Sequence, residues 1–418
     1  MSTADDRPGA CFVVMAVAAL VGCGGGASPG GALPAAPDAG PDSSVPRTPD
    51  SAGNAPDAGG PPPAEPPDAA AGGDPLAAPA VLAQRLARFL WGEQTADAAL
   101  TAELSGVTTR AGVAAVARRM LGEPARARAG MEGFYRWWLR LDDLATLEKD
   151  DPQHLLTPAL RASMAREAPA FGAYVILEGD GKFDTLLRAP YTFMDETLAA
   201  HYGLTTIKGP EMRQVPYGAP DRVGILGGAG VLTRFASVRE PTWPARRYWL
   251  ISEALLCEST ILPPPSLQSS QIDPKKPIRA QMTSVTSAQM CQICHVHVNP
   301  YGFLFLRFDT FGRFIDHDVG GALDPTAVVD LGDGRFALED QPDLMKFLSA
   351  RPEARRCFTD RWMGYGVEGS TSGMGFIREP PKHLAASVDE ALAVFEASGG
   401  DMRELIVAVA GSTDFTRP

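Results

Sequence analysis

The sequence has no run of lysine and arginine dense enough to build a basic face, which excludes a duplex nucleic-acid binder. From Pro79 onward it has nothing near the roughly 18–20 uninterrupted apolar residues that span a bilayer. It lacks a second Cys-x-x-Cys and any His-x-x-x-His, the spacings on which a four-ligand structural zinc site draws. No Gly-x-Ser-x-Gly elbow is present, so a serine hydrolase has no support. The glycine-rich run Gly224–Gly230 lacks Gly-Lys-Ser/Thr and does not match Gly-x-Gly-x-x-Gly. Close helix packing or a turn explains it better than phosphate binding.

What acidity there is lies unevenly. The formal net charge is -12 over 418 residues. Between Gly24 and Pro75 seven acids (Asp38, Asp42, Asp50, Asp57, Glu65, Asp68, Asp74) face one base, Arg47, which is half of that total. The rest is only mildly acidic and says little about a partner. The same stretch is Pro, Ala, Gly, Ser and Asp with almost no large apolar side chain. It cannot bury enough surface to offset its chain entropy, so residues 23–78 read as a disordered tether.

Ahead of the tether, Cys11–Gly22 reads CFVVMAVAALVG without a charge. That is too short to span a membrane and suits the apolar core of a signal peptide. Leu20-Val21-Gly22-Cys23 resembles the lipobox of bacterial lipoproteins. The resemblance implies a lipoprotein signal peptide over residues 1–22, lipid on Cys23, and an exported chain held in the bacterial cell envelope at the outer membrane. An ordinary secretory signal or a buried apolar helix is the plainer alternative.

The remaining 340 residues, roughly two domains' worth of core, read as mainly α. Leu82, Leu86, Phe89 and Leu90 share one helical face. Val113, Val116, Met120 and Leu121 make a second helix. Phe134, Trp137, Trp138, Leu141 and Leu144 form an aromatic stripe better read as helix packing than as a ligand box. Thr157-Pro158 reads as an N-cap with proline at the first helical position, and Pro169 should kink or split the helix that follows. A helix over 192–201 is expected to end at Gly203, with a short strand over 211–215. Helix is expected again over 245–256, and Pro263–Pro265 reads as a boundary. The last hundred residues predict helices near 343–350, 353–364, 387–398 and 402–411. The expected organisation is a helical N-terminal domain (79–262), a small CxxCH module (263–335) and a helical C-terminal domain (336–418).

The chemistry concentrates in Cys291-Gln292-Ile293-Cys294-His295. Covalent haem attachment needs two thiols three residues apart, one for each vinyl group, and a histidine next to the second that can reach the iron. With six cysteines and six histidines in the chain, a chance match is on the order of one in a thousand. The motif therefore predicts one haem c on Cys291 and Cys294 with His295 as proximal iron ligand. Competing readings are a thioredoxin-type redox pair, which lacks a βαβ context, and zinc on Cys291, Cys294 and His297.

For the far side of the iron, Met345, Met363, Met374 and His317 are downstream candidates. Met363 leads them because Phe358, Trp362 and Tyr365 surround it in sequence, although plain core packing explains each methionine better. Arg239, Arg246 and Arg247 with Glu240, near Trp243 and Trp249, are candidates for haem propionates against the default of a solvated surface. His201, close after Asp195 and Glu196, is a candidate catalytic or metal residue against a hydrogen-bonded structural histidine. After the signal peptide, lipid and haem have claimed their cysteines, Cys257 and Cys357 remain. In an oxidising compartment they predict a disulfide; two buried free thiols are the alternative.

Taken together, these marks resemble the planctomycete-type cytochrome c proteins built from domains of unknown function 1592, 1588 and 1585. Leu82–Trp91 is similar to the start of the first domain, with later marks at Leu198–Gly203 and Arg222–Leu226. Leu255–Cys257, Pro263–Pro265, Cys291–His295, Asn299–Phe303 and Phe308–Arg313 resemble the second. Arg356–Phe358 and Leu405–Phe415 suggest the third. The family's usual Asp-Pro stands here as Asn299-Pro300, and its Tyr-x-x-Gly-Arg is blurred to Gly364–Glu368. The resemblance implies haem binding and electron transfer and names no substrate. The reading is a lipid-anchored monohaem protein that passes electrons to a partner protein, with the question of an enzyme left open. Its alternative is a cell-envelope binding or structural lipoprotein whose CxxCH holds zinc or no cofactor.

Overall fold

The computed structural model describes residues 75–151, 153–219, 221–236, 244–258, 273, 275–331, 333–369 and 382–418. The expected signal peptide, Cys23, nearly all of the tether, Pro263–Pro265, Met374 and the Arg239, Glu240 and Trp243 part of the arginine cluster lie outside these residues. What is described is mainly helical, as the periodicity predicts.

The Pro79–Leu86 helix starts with proline, where a missing N–H costs no helix bond. It runs on through a wider turn, Ala87–Trp91, and stops at Gly92, whose φ is 69°. Leu82, Leu86, Phe89 and Leu90 are all buried. The Pro124–Trp138 helix carries the aromatic stripe. Its Phe134 stacks on Trp362 of the Pro352–Glu368 helix, with ring centroids 3.6 Å apart. The stripe is packing, and it joins the early helices to the late ones. The first and last of the described segments meet as well. The Ala77 N–H donates to the Thr416 carbonyl at 2.8 Å, and the Arg85 guanidinium donates to the carbonyls of Phe415 and Arg417.

Thr157 caps the Pro158–Leu177 helix by accepting from the Leu160 N–H. Of the kink or split expected at Pro169, the split does not occur: the helix runs unbroken through it. Met164, Phe171, Val175 and Ile176 are wholly buried along this helix. At roughly 1.5–3 kcal/mol per large apolar side chain, their burial outweighs the ~3 kcal/mol cost of an interior proline.

The helix expected over 192–201 is shorter. Tyr191–Met194 is a strand paired antiparallel with Arg213–Pro216, Thr192 facing Val215. Aromatic and β-branched residues favour that pleat. Asp195 then accepts from the Leu198 N–H at 2.9 Å and starts the helix at Glu196. Gly203 closes it in the left-handed region, φ 79°. Two further hairpins join His317–Asp318 to Gly321–Ala322 and Ala327–Asp330 to Arg335–Leu338. No sequence alternation announces them. Helices Gln341–Ser349, Pro352–Glu368, Ala385–Ala397 and Met402–Ala410 match the four expected near the C-terminus.

Candidate functional site

The CxxCH residues lie on the Gln289–Phe303 helix, which packs against the Pro244–Ile251 helix and the Ala327–Asp330 strand. Helical spacing at i, i+3 and i+4 puts Cys291, Cys294 and His295 on one face. Val298, Asn299, Tyr301, Gly302 and Phe303 bury the second half of the helix. Its first half projects into solvent, with Met290, Ile293 and Val296 exposed. Both thiols are free and half-buried.

His295 Nδ1 lies 2.9 Å from Asn299 Oδ1. Asn299 Nδ2 donates to Thr286 Oγ1 at 2.9 Å, and the Thr286 hydroxyl donates to the Met282 carbonyl at 2.7 Å. Among the described residues, His295 Nε2 has no partner. The site thus offers a cofactor two thiols and one uncommitted imidazole nitrogen. Asn299 and Thr286 are partners that motif reading misses. The i, i+4 spacing of Asn299 from His295 was available as a signal; nothing local points to Thr286.

Other candidates take other roles. Met363 is wholly buried, and its sulfur lies 3.7 Å from Ser412 Oγ, whose hydrogen goes to the Val409 carbonyl at 2.7 Å. Met345 is also wholly buried. His317 is exposed and pairs with Asp316; His297 is exposed. Among the described residues, no three His, Cys, Asp or Glu side chains converge as a metal site. A cleft of about 610 Å³ opens beside the Ile278–Val285 helix, lined by Arg279, Thr283, Ser284, Leu306 and Leu323 among others, but not by the CxxCH residues. Cys257 and Cys357 stand at disulfide distance, their Cα atoms 5.3 Å apart.

His201 Nε2 lies 2.8 Å from the Phe311 carbonyl, and burial holds its imidazole below the usual range. The neutral ring with Nε2–H is the form that bonds this carbonyl, which commits that nitrogen to the backbone. Beside it is a buried polar knot. Glu167 accepts from the Tyr202 hydroxyl at 2.5 Å, the Thr192 hydroxyl and the Gly230 N–H. Burial pushes its carboxyl up. Arg222 donates to the Gly227 and Gly312 carbonyls and lies over the Tyr202 and Phe308 rings. The glycine run serves close packing. A Cβ on Gly224 would stand 1.9 Å from the Leu187 carbonyl oxygen, and one on Gly230 2.3 Å from that of Met164. Arg247 is buried and donates to the Leu232 and Asp309 carbonyls, while Arg246 lies over Trp249. Arg247 is thus committed to backbone.

No curated protein and no solved structure matches the chain. Two family models do. Residues 78–204 match PSD4, described as a protein of unknown function (DUF1592), and residues 222–318 match PSCyt3, a protein of unknown function (DUF1588). Arg222–Leu226, expected as late marks of the first domain, thus open the second match. The likeness to a third domain at the C-terminus is not part of these matches. Over two successive segments, the chain is similar to two planctomycete cytochrome c-type families of unknown function.

Proposed function

We propose that this chain is an exported, lipid-anchored c-type protein that carries one covalent haem on its 263–335 module and passes single electrons to a partner protein. The observation that carries the reading is the pair of free, half-buried thiols three residues apart on one helical face, next to an imidazole whose Nε2 is uncommitted. The donor set fits the group. Cys291 and Cys294 would hold the group through two thioethers, each thiol adding across one vinyl with its hydrogen passing to the other vinyl carbon, so no oxidant would be needed. His295, on the same helix, would hold the iron through its Nε2. Haem c, when bound, supplies a one-electron iron couple. A structural zinc site would instead want four converging ligands, and no convergent set of even three exists among the described residues.

The test is expression of the full chain in a host with haem-maturation machinery. A reduced-minus-oxidised spectrum with a c-type α-band, and haem mass on the Cys291–His295 peptide, are expected. Both are expected to vanish in Cys291→Ala/Cys294→Ala. A wild-type protein without band or haem mass overturns the proposal. Acylation of Cys23, read by mass and by partition into detergent, is expected to be lost in Cys23→Ser.

A further inference from the structure

We infer that Thr286 and Asn299 are positioning residues that fix the His295 imidazole as its Nδ1–H form, so that the Nε2 lone pair is free before any cofactor arrives. The argument is one of direction along three hydrogen bonds. The Met282 carbonyl can only accept, and it stands 2.7 Å from Thr286 Oγ1. Two oxygens at that separation repel unless a proton lies between them, so the single hydroxyl proton of Thr286 is committed there. Thr286 Oγ1 can then only accept, and the Asn299 atom 2.9 Å away must be its amide nitrogen. That places Asn299 Oδ1 against His295 Nδ1 at 2.9 Å. An amide oxygen only accepts, so Nδ1 carries the hydrogen.

Met282, Thr286 and Asn299 are all buried, at 2%, 6% and 8% exposure, which keeps water from substituting for any member of the chain. Helix geometry supplies two of the three links, since Thr286 bonds back to residue i−4 and Asn299 lies at i+4 from His295. The one link between helices, Asn299 to Thr286, sets the roll of the Gln289–Phe303 helix against the Ile278–Val285 segment. A free imidazole favours the opposite, Nε2–H, form, which would block that nitrogen. Outer partners of this kind orient metal-bound histidines generally.

This inference rests on the proposed function only in taking Nε2 as the axial donor; the proton assignment itself is independent of haem. The test uses the full chain with both thiols unmodified and ring-15N histidine, with the His295 signal identified by its absence in His295→Gln. Wild type is expected to show Nδ1–H at His295. Thr286→Val, which keeps the shape and removes the hydroxyl, is expected to move at least half of His295 to Nε2–H in a protein that keeps its helical circular dichroism and melts somewhat earlier. In haem-loaded protein, Asn299→Asp is expected to lower the midpoint potential, because a carboxylate makes the imidazole a stronger donor. Wild-type His295 in the Nε2–H form overturns the inference, as does a Thr286→Val protein with unchanged tautomer ratio. Failure of haem to attach while the Nδ1–H form is seen counts against the proposed function alone.

Discussion

Cys257 and Cys357 face each other at disulfide distance across 100 residues of sequence. Cys257 sits in the left-handed region, φ 51°, at the end of the Ser252–Leu256 turn, and Cys357 is buried on the Pro352–Glu368 helix. A bond there closes a long loop and restricts the unfolded chain. Replacing both residues by alanine is expected to lower unfolding free energy on the order of 2–5 kcal/mol, read as a lower urea midpoint. Equal midpoints for wild type and double variant would show that the pair is not bonded.

Gly224 and Gly203 both have positive φ, but only Gly224 is crowded. At Gly203 a Cβ meets nothing within 4 Å. Gly203→Ala is therefore expected to cost only the left-handed backbone, about 1–2 kcal/mol. Gly224→Ala adds a clash with the Leu187 carbonyl and is expected to cost more than ~3 kcal/mol. Thermal unfolding of the two variants side by side decides it; comparable losses would mean that the backbone at Leu187, on the Phe183–Arg188 helix, gives way.

Burial pushes the Asp360 carboxyl up to about 6, against the partial opposition of Arg356 and Arg361. A raised acid binds its proton more readily in the folded chain. Its contribution is fully present below about 3.8 and is lost as pH rises through about 6. Asp360→Asn is expected to flatten that decline, making the protein more stable than wild type at neutral pH and equal to it in acid. Glu167 acts with the same sign, but its three accepted hydrogen bonds make it a poor probe. Parallel stability–pH curves for wild type and Asp360→Asn would remove Asp360 as the source.

Trp362 stacks on Phe134 and is wholly buried, yet among the described residues its indole N–H has no partner. Trp362→Ala is expected to cost about 3–5 kcal/mol. Trp362→Phe should cost far less, because no hydrogen bond is lost and the ring contact remains. Denaturant titration of both variants measures the difference; equal losses would point to a bond the indole makes after all.

Met363 belongs to the same packed region, with its sulfur turned to Ser412. Met363→Leu keeps volume and is expected to change stability by less than ~1.5 kcal/mol. In haem-loaded protein it is expected to leave the spectrum and potential where they were. Loss of a methionine-ligand signature would return Met363 to the iron.

Local pattern carried far in this chain where neighbours in space are also neighbours in sequence. The faces of Leu82–Leu90 and Val113–Leu121 follow from the helical period, and Thr157-Pro158 marks a helix start by its own chemistry. Pattern failed where a partner is remote. Thr192 is extended because Val215 lies opposite it, and Pro169 stays helical because its surroundings bury the helix. At the site, the three residues of the motif were legible because the attachment chemistry dictates their spacing. The orientation of His295 was not, since it depends on a threonine from another helix.

The bond from Ala77 to Thr416 and the hold of Arg85 on Phe415 and Arg417 also set an order in time. The Pro79–Leu86 helix is the first of the described helices to leave the ribosome. Its seat is completed by Phe415, Thr416 and Arg417, which follow it by some 330 positions in the sequence. This helix must therefore wait, unfinished, for nearly the whole synthesis of the body, and late long-range closure of this kind slows folding. Disturbing Phe415–Arg417 is therefore expected to loosen the Pro79–Leu86 helix as much as their own surroundings.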